Sequence, residues 1–185
     1  MAHSSTELLI DYWQSRISGP GAPTRASIDP SGFPTLLPQV FMLGRRGPGD
    51  YIFRLAGALV RDLHALDLRG VGFSDLWAET ARIPLQTALE GARHRVAPVR
   101  IVAEANCGPN VLGLNIVVLP LANASGDVDR YLGLYEPTAP LSTLRGIPAY
   151  RLQLITLGAK SLANAGTAAE EPRLRLASVG GLRIG

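Results

Sequence analysis

This sequence of 185 residues has very little cysteine, lysine or methionine: one Cys, two Met and, beside seventeen arginines, one lysine at position 160. A single cysteine, Cys107, excludes an intramolecular disulfide framework and points to a reducing, cytoplasmic compartment. No apolar run approaches the ~20 residues that a membrane span requires. The opening MAHSSTELLIDYW lacks the basic stretch and long apolar core of a secretion signal. A net charge of +3 is modest, and the arginines are scattered rather than gathered in the stripe that nucleic acid selects, so no nucleic-acid partner is expected. Histidines number three, and His3, His64 and His94 share no metal-ligand spacing with one another or with Cys107. Absent too are a Gly-x-Ser-x-Gly elbow and a Gly-Lys-Ser/Thr phosphate loop, and no closely placed carboxylate pair stands out. The residues therefore point away from an enzyme.

With 46% hydrophobic residues, the chain can bury a core of one-domain size. Ser4-Ser5-Thr6-Glu7 fits a capping box for a first helix, in which Leu9, Trp13 and Ile17 make an apolar stripe with Leu8 and Tyr12 beside it. Tyr12 and Trp13 cannot share one direction, so that helix offers a surplus apolar face, a candidate seam for a homodimer. Pro23, Pro30, Pro34 and Pro38 then forbid a long helix and favour a turning, ordered loop.

Val40–Arg45 and Tyr51–Gly57, joined by Gly-Pro-Gly-Asp, read as a hairpin. Strict alternation puts Tyr51, Phe53 and Leu55 on one face of the second strand and Ile52, Arg54 and Ala56 on the other. A helical crossover follows. Leu59, Leu63 and Leu66 form its first stripe, Ser74 is a candidate cap before Leu76 and Trp77, and Pro84 suits the first turn of a helix with Leu85, Ala88, Leu89 and Ala92 on one side. His64 and His94 read as surface residues of these helices. Three strands complete the pattern: one from Val99, with Ile101, Ala103 and Ala105 inward, the doubly apolar VLGLNIVVLPL, and Tyr131–Glu136. The expectation is an α+β domain with a five-stranded antiparallel sheet, N-terminal helix and helical crossover on one face. Its bounds are 1–157, with a flexible Gly/Ala-rich linker and Arg/Leu tail over 158–185.

The pieces DYWQSR, PTRASIDP, LLPQVFML, YIFRLAG, DLRGVGFSDLW and VVLPL, in this order from Leu8 to Glu136, resemble the alphaproteobacterial PAS-domain family of the PAS_5 type. The marks of the resemblance fall on Trp13, Arg25, Asp29, Pro30, Pro38, Phe53, Arg54, Leu55, Gly57, Gly70, Trp77 and Pro120. It implies a small sensory or regulatory module in bacterial signal transduction. With no output domain visible in the sequence, action through contacts with signalling proteins such as histidine kinases or response regulators is expected. The alternative is a small-molecule sensor with a pocket between sheet and crossover, lined by Phe53, Leu55, Leu63, Trp77, Leu89, Ile101 and Ile116. No motif demands a cofactor. A lone histidine is a weak basis for haem, and Asn106-Cys107 runs into Gly-Pro, unlike the Asn-Cys-Arg-Phe-Leu-Gln of flavin photoreceptors. Arg54 has two readings: an arginine that pins the N-terminal segment through Asp29, or a receptor for an anionic group.

Overall fold

The computed structural model describes residues 4–159; the linker and tail expected beyond Leu157 lie outside the described residues from position 160 onward. Three helices, α1 (Ser5–Ser15), α2 (Ala58–His64) and α3 (Glu79–Arg95), accompany strands β1 (Val40–Gly47), β2 (Asp50–Ala56), β3 (Val99–Cys107), β4 (Asn110–Ala122), β5 (Val128–Pro137) and β6 (Arg151–Ala159). The strands form one antiparallel sheet in the order β2-β1-β5-β4-β3-β6. The sheet thus has six strands, not five. RLQLITLGA pairs with β3 along its whole length and sends Leu152 into the core.

A second correction concerns the layers. The sheet is covered on both sides. The inner layer joins α2, α3 and the turn at Phe73–Leu76 to the side chains of Phe41, Phe53, Ile101, Ile116 and Tyr135. The outer layer is separate: Leu9, Ile10 and Trp13 of α1, with Phe33 and Leu36 from the proline-rich loop, cover Val117, Leu119, Leu132 and Leu134. β4 and β5 are apolar on both faces because both faces are buried. Ser4 caps α1 by accepting from Glu7 N–H at 3.3 Å. Glu7 also reaches the sheet. Its carboxylate takes two bonds from Arg100 on β3, while Glu136 on β5 accepts from Ser5 N–H and the Thr6 hydroxyl. Four hydrogen bonds thereby anchor the helix start to the sheet. Tyr12, expected as surplus surface, packs edge-on to Phe33 at 4.8 Å and bonds both backbone groups of Asp29. Leu8 is the α1 residue left exposed as a large hydrophobic, so the premise for a dimer seam shrinks to one side chain.

The crossover fixes the sheet's shape. Gly72 bridges to Ile52 on one edge strand and Trp77 bridges to Leu152 on the other. Five residue steps reach at most ~18 Å, whereas a flat six-stranded sheet measures ~24 Å across. The sheet must therefore curl around the inner layer, and the same short stretch protects parts of both edges. Trp77 lies just beyond the turn at Phe73–Leu76, capped by Gly72 rather than by Ser74. Pro84 sits within α3, not in its first turn; an exposed position lets water meet the carbonyl it leaves unpaired. On α2 the buried set is Val60, Leu63 and His64, so the expected Leu59/Leu66 stripe is displaced and Leu66 is exposed. No helix among the described residues is long and apolar enough to cross a membrane.

β2 departs from simple alternation at Arg54. Leu43 pairs with Phe53 but Met42 pairs with Leu55, leaving Arg54 as an extra residue opposite nothing. This bulge turns the remainder of the strand over. Phe53 stays inside at 0% exposure, Leu55 emerges at 54%, and Ala56 swings inward against the core. Arg54 does not pair with Asp29. Its stem lies across Gly44 of β1, where an added Cβ would come within 2.6 Å of Arg54 Nε. Asp29 is occupied with Ser31, accepting from its N–H at 2.9 Å and from its hydroxyl.

Candidate functional site

Six of the seven residues expected to line a pocket meet in the inner layer. Phe53, Leu63, Trp77, Leu89, Ile101 and Ile116 are all buried there; Leu55 is excluded by the bulge. They surround a connected set of rings. His64 contacts Tyr135 at 6.0 Å, Tyr135 contacts Phe41 at 5.3 Å, Phe41 contacts Phe73 at 5.8 Å, and Phe73 contacts Trp77 at 5.7 Å. All prefer tilted or edge-on geometry except the stacked Phe41–Phe73 pair, as aromatic quadrupoles favour.

Three polar atoms in this apolar layer have no hydrogen-bond partner among the described residues: His64 Nε2, Trp77 Nε1 and the Tyr135 hydroxyl. His64 is 8% exposed, a correction to its surface assignment. Its Nδ1 lies 3.3 Å from the Ala149 carbonyl. A carbonyl can only accept, so Nδ1 carries the proton and neutral Nε2 presents a lone pair. The layer thus offers an acceptor on His64, a donor on Trp77, and a hydroxyl on Tyr135 that does either. Burial favours the neutral forms, lowering the His64 pKa and raising that of Tyr135. Tyr135 was legible in the sequence, since it alternates with Tyr131 on the inward side of β5. His64 was not, because its neighbours Asp62 and Ala65 are exposed.

The hairpin end of this layer is closed by polar contacts. Glu90 of α3 accepts from the Tyr51 hydroxyl and from Gly49 N–H, and pairs with Arg45 at 3.3 Å. Burial alone would raise the Glu90 pKa. The donors outweigh it, and the carboxyl titrates below its ordinary value. Burial and the facing carboxylate push Tyr51 up to about 12. Tyr131 donates to the Leu89 carbonyl. Beside this cluster a crevice lined by Tyr51, Phe73, Leu85 and Leu89 has no room for a water-sized molecule.

The other expected marks serve the scaffold. Trp13 Nε1 donates to the Pro120 carbonyl at 2.8 Å. Pro30 opens the turn that Asp29 caps, Arg25 is exposed in a turn of its own, Gly57 lies against the backbone at Leu37 and Pro38, and Gly70 adopts φ +85°. Cys107 is buried at the end of β3, its thiol pKa raised by burial, which opposes thiolate chemistry. Among the described residues, no three His, Cys, Asp or Glu side chains gather as a metal site needs.

Similar solved structures are light-oxygen-voltage domains. An RNA-binding Light-Oxygen-Voltage receptor aligns at 16% identity and TM-score 0.46, over 71% of this chain and 40% of the receptor, so the chain spans less than half of that protein. The dark structure of the blue-light photoreceptor Aureochrome1 LOV aligns at 11% identity and TM-score 0.45, over 62% of this chain and 84% of that one. No curated protein matches the sequence. The PAS_5 PAS-domain model matches residues 1–136, from before α1 to the end region of β5, and leaves β6 outside. The chain belongs to the PAS_5 family of PAS domains.

Proposed function

We propose that this protein is a non-enzymatic regulatory PAS module of the cytoplasm that takes a small molecule into its inner layer and passes the change on by contact with signalling proteins, histidine kinases or response regulators among them. The observation that carries the reading is the set of three unpaired polar atoms, His64 Nε2, Trp77 Nε1 and the Tyr135 hydroxyl, within one apolar layer. Leaving a buried donor or acceptor unpaired costs about 1–3 kcal/mol. A sequence that keeps three of them in its core has them available for a ligand. The chemistry selects a compact, largely apolar molecule with at least one acceptor for Trp77 and one donor for His64.

A second reading is a ligand-free contact module, favoured by the crevice beside Leu89 that admits no water. Melting curves against a metabolite library separate the two. Under the sensor reading, a compound raises the melting temperature of the wild type. Tyr135→Phe removes an unpaired hydroxyl at nearly constant volume and then leaves the free protein at least as stable, Trp77→Phe costs about 1–3 kcal/mol for the lost volume, and both abolish the ligand's shift. If no compound shifts the wild type, or the variants respond like it, the ligand half of the reading fails.

A further inference from the structure

We infer that the groove carrying Arg54, Leu55, Arg61, Leu66 and Arg69 is a docking surface for an acidic, partly apolar segment of a partner protein. The inference deepens the contact half of the reading above and does not depend on the ligand half.

The groove is built from three elements that form one unit. The bulge in β2 presents Arg54 and Leu55 to the outside together. α2 contributes Arg61, and the segment after it contributes Leu66 and Asp67. The turn at Arg69–Gly70 is held to β2, with Gly70 N–H donating to the Phe53 carbonyl at 2.8 Å and Phe53 N–H to the Val71 carbonyl at 2.9 Å. Arg54, Leu55, Ala56, Arg61, Asp67 and Arg69 line a pocket of about 240 Å³. Past Arg61 and Asp67 it continues into a shallower hollow of about 500 Å³ beside Ala65 and Leu66.

Charge and apolarity fix what this groove fits. Among the described residues, Arg54, Arg61 and Arg69 come together without a salt bridge, whereas Arg45, Arg46, Arg100 and Arg130 pair with carboxylates elsewhere. Asp67 makes no salt bridge with them, its carboxylate accepting from Arg69 N–H at 3.1 Å, and its negative charge offsets one of the three positive ones. Asp62 borders the hollow and leaves the groove with a net positive charge. Leu55 at 54% exposure and Leu66 at 49% supply apolar contacts among these guanidinium groups. Arginine forks take carboxylates bidentately, and the leucines reward an apolar neighbour beside them.

The groove is also placed to report the core. Each element that lines it sends a residue inward: Phe53 from β2, Leu63 and His64 from α2, Leu68 from the turn. A change in how the inner layer packs must therefore move backbone that the groove shares.

The test is fluorescence anisotropy with a labelled synthetic helical peptide of Glu, Leu and Ala and its counterpart with Lys for Glu, at low and moderate salt. Three variants are compared with the full-length wild type. One is R54E/R61E/R69E; one is R25E/R95E/R145E, with the same charge change on exposed arginines elsewhere; one is L55S/L66S. We expect the acidic peptide to saturate the wild type and the groove triple to weaken it about tenfold or more, a loss worth about 1.4 kcal/mol. The control triple should change binding less than about threefold, and the leucine pair should weaken it by an intermediate factor. Equal losses in both triples, no effect of the leucine pair, preference for the Lys peptide, or no saturation overturns the inference. All substituted side chains are exposed, so unchanged melting temperatures verify that the variants are folded. A metabolite that shifts melting while the peptide fails would sink the groove and leave the ligand site standing; the converse would do the opposite.

Discussion

Trp13 in α1 donates its indole N–H to the carbonyl of Pro120 in β4 across 2.8 Å of fully buried space. The two residues stand 107 positions apart. Pro120 is tolerated in a central strand because the β3–β4 ladder ends at the Val99–Val118 pair, so its missing N–H deprives no partner on that side. Trp13→Phe should lose the bond and some volume, about 1–3 kcal/mol, and Trp13→Ala about 3–5 kcal/mol. Urea denaturation reads both; equal, small losses would show that α1 is not part of the cooperative unit.

Phe53 and Leu55 are two residues apart in one strand, yet one is fully buried and the other more than half exposed. Phe53→Ala should cost about 3–5 kcal/mol, as should Trp77→Ala in the same layer. Leu55→Ala should stay within about 0.5 kcal/mol. Comparable losses at 53 and 55 would remove the bulge from the fold.

His64 makes stability depend on pH. Its folded pKa is lowered, chiefly by burial, from an ordinary value of 6.5. Below that value the unfolded chain binds a proton that the folded one resists, so stability is complete above about pH 6.5–7 and falls on acidification until the folded form also protonates. The melting temperature of the wild type should decline from pH 7 to pH 5 more steeply than that of His64→Asn. Parallel pH profiles for the two proteins would count against a buried, neutral His64.

Gly57 lies where the hairpin meets the proline-rich loop. A Cβ there would stand 2.3 Å from the Leu37 carbonyl oxygen and 2.4 Å from that of Pro38. Both are backbone atoms, so one segment must shift. Gly57→Ala should destabilise by about 1–3 kcal/mol in thermal unfolding. A melting temperature equal to that of the wild type would mean that the loop gives way freely.

The domain's lower boundary can be cut experimentally. Ending the chain at Ala159 should leave the melting temperature unchanged, because 160–185 is small, polar and poor in apolar area to offset its ordering. Ending it at Tyr150 removes Leu152 from the inner layer and the bond from Ala78 N–H to its carbonyl, and should lower the melting temperature by several degrees. Equal effects of the two truncations would move the boundary.

Local periodicity in the sequence was enough to determine α1 with its Ser4 cap, the hairpin, the inward set Val99–Ile101–Ala103–Ala105, and the Leu85–Leu89–Ala92 side of α3, because each is a repeat that one element displays by itself. The ordered family pieces carried the PAS assignment and brought six of the pocket candidates to one layer. Tertiary structure alone decided the rest. Nothing near Leu55 in the chain announces the bulge, which arises from how β2 pairs with β1. RLQLITLGA is a strand because the β3 edge is open to it, and His64 is buried because the segment at Ala149 folds back over α2. The division of the core into two layers follows from a sheet apolar on both faces, and only the packed chain shows which helix takes which face. Periodicity records the face a residue shows along its own element; pairing register and edge occupancy depend on residues far away in sequence.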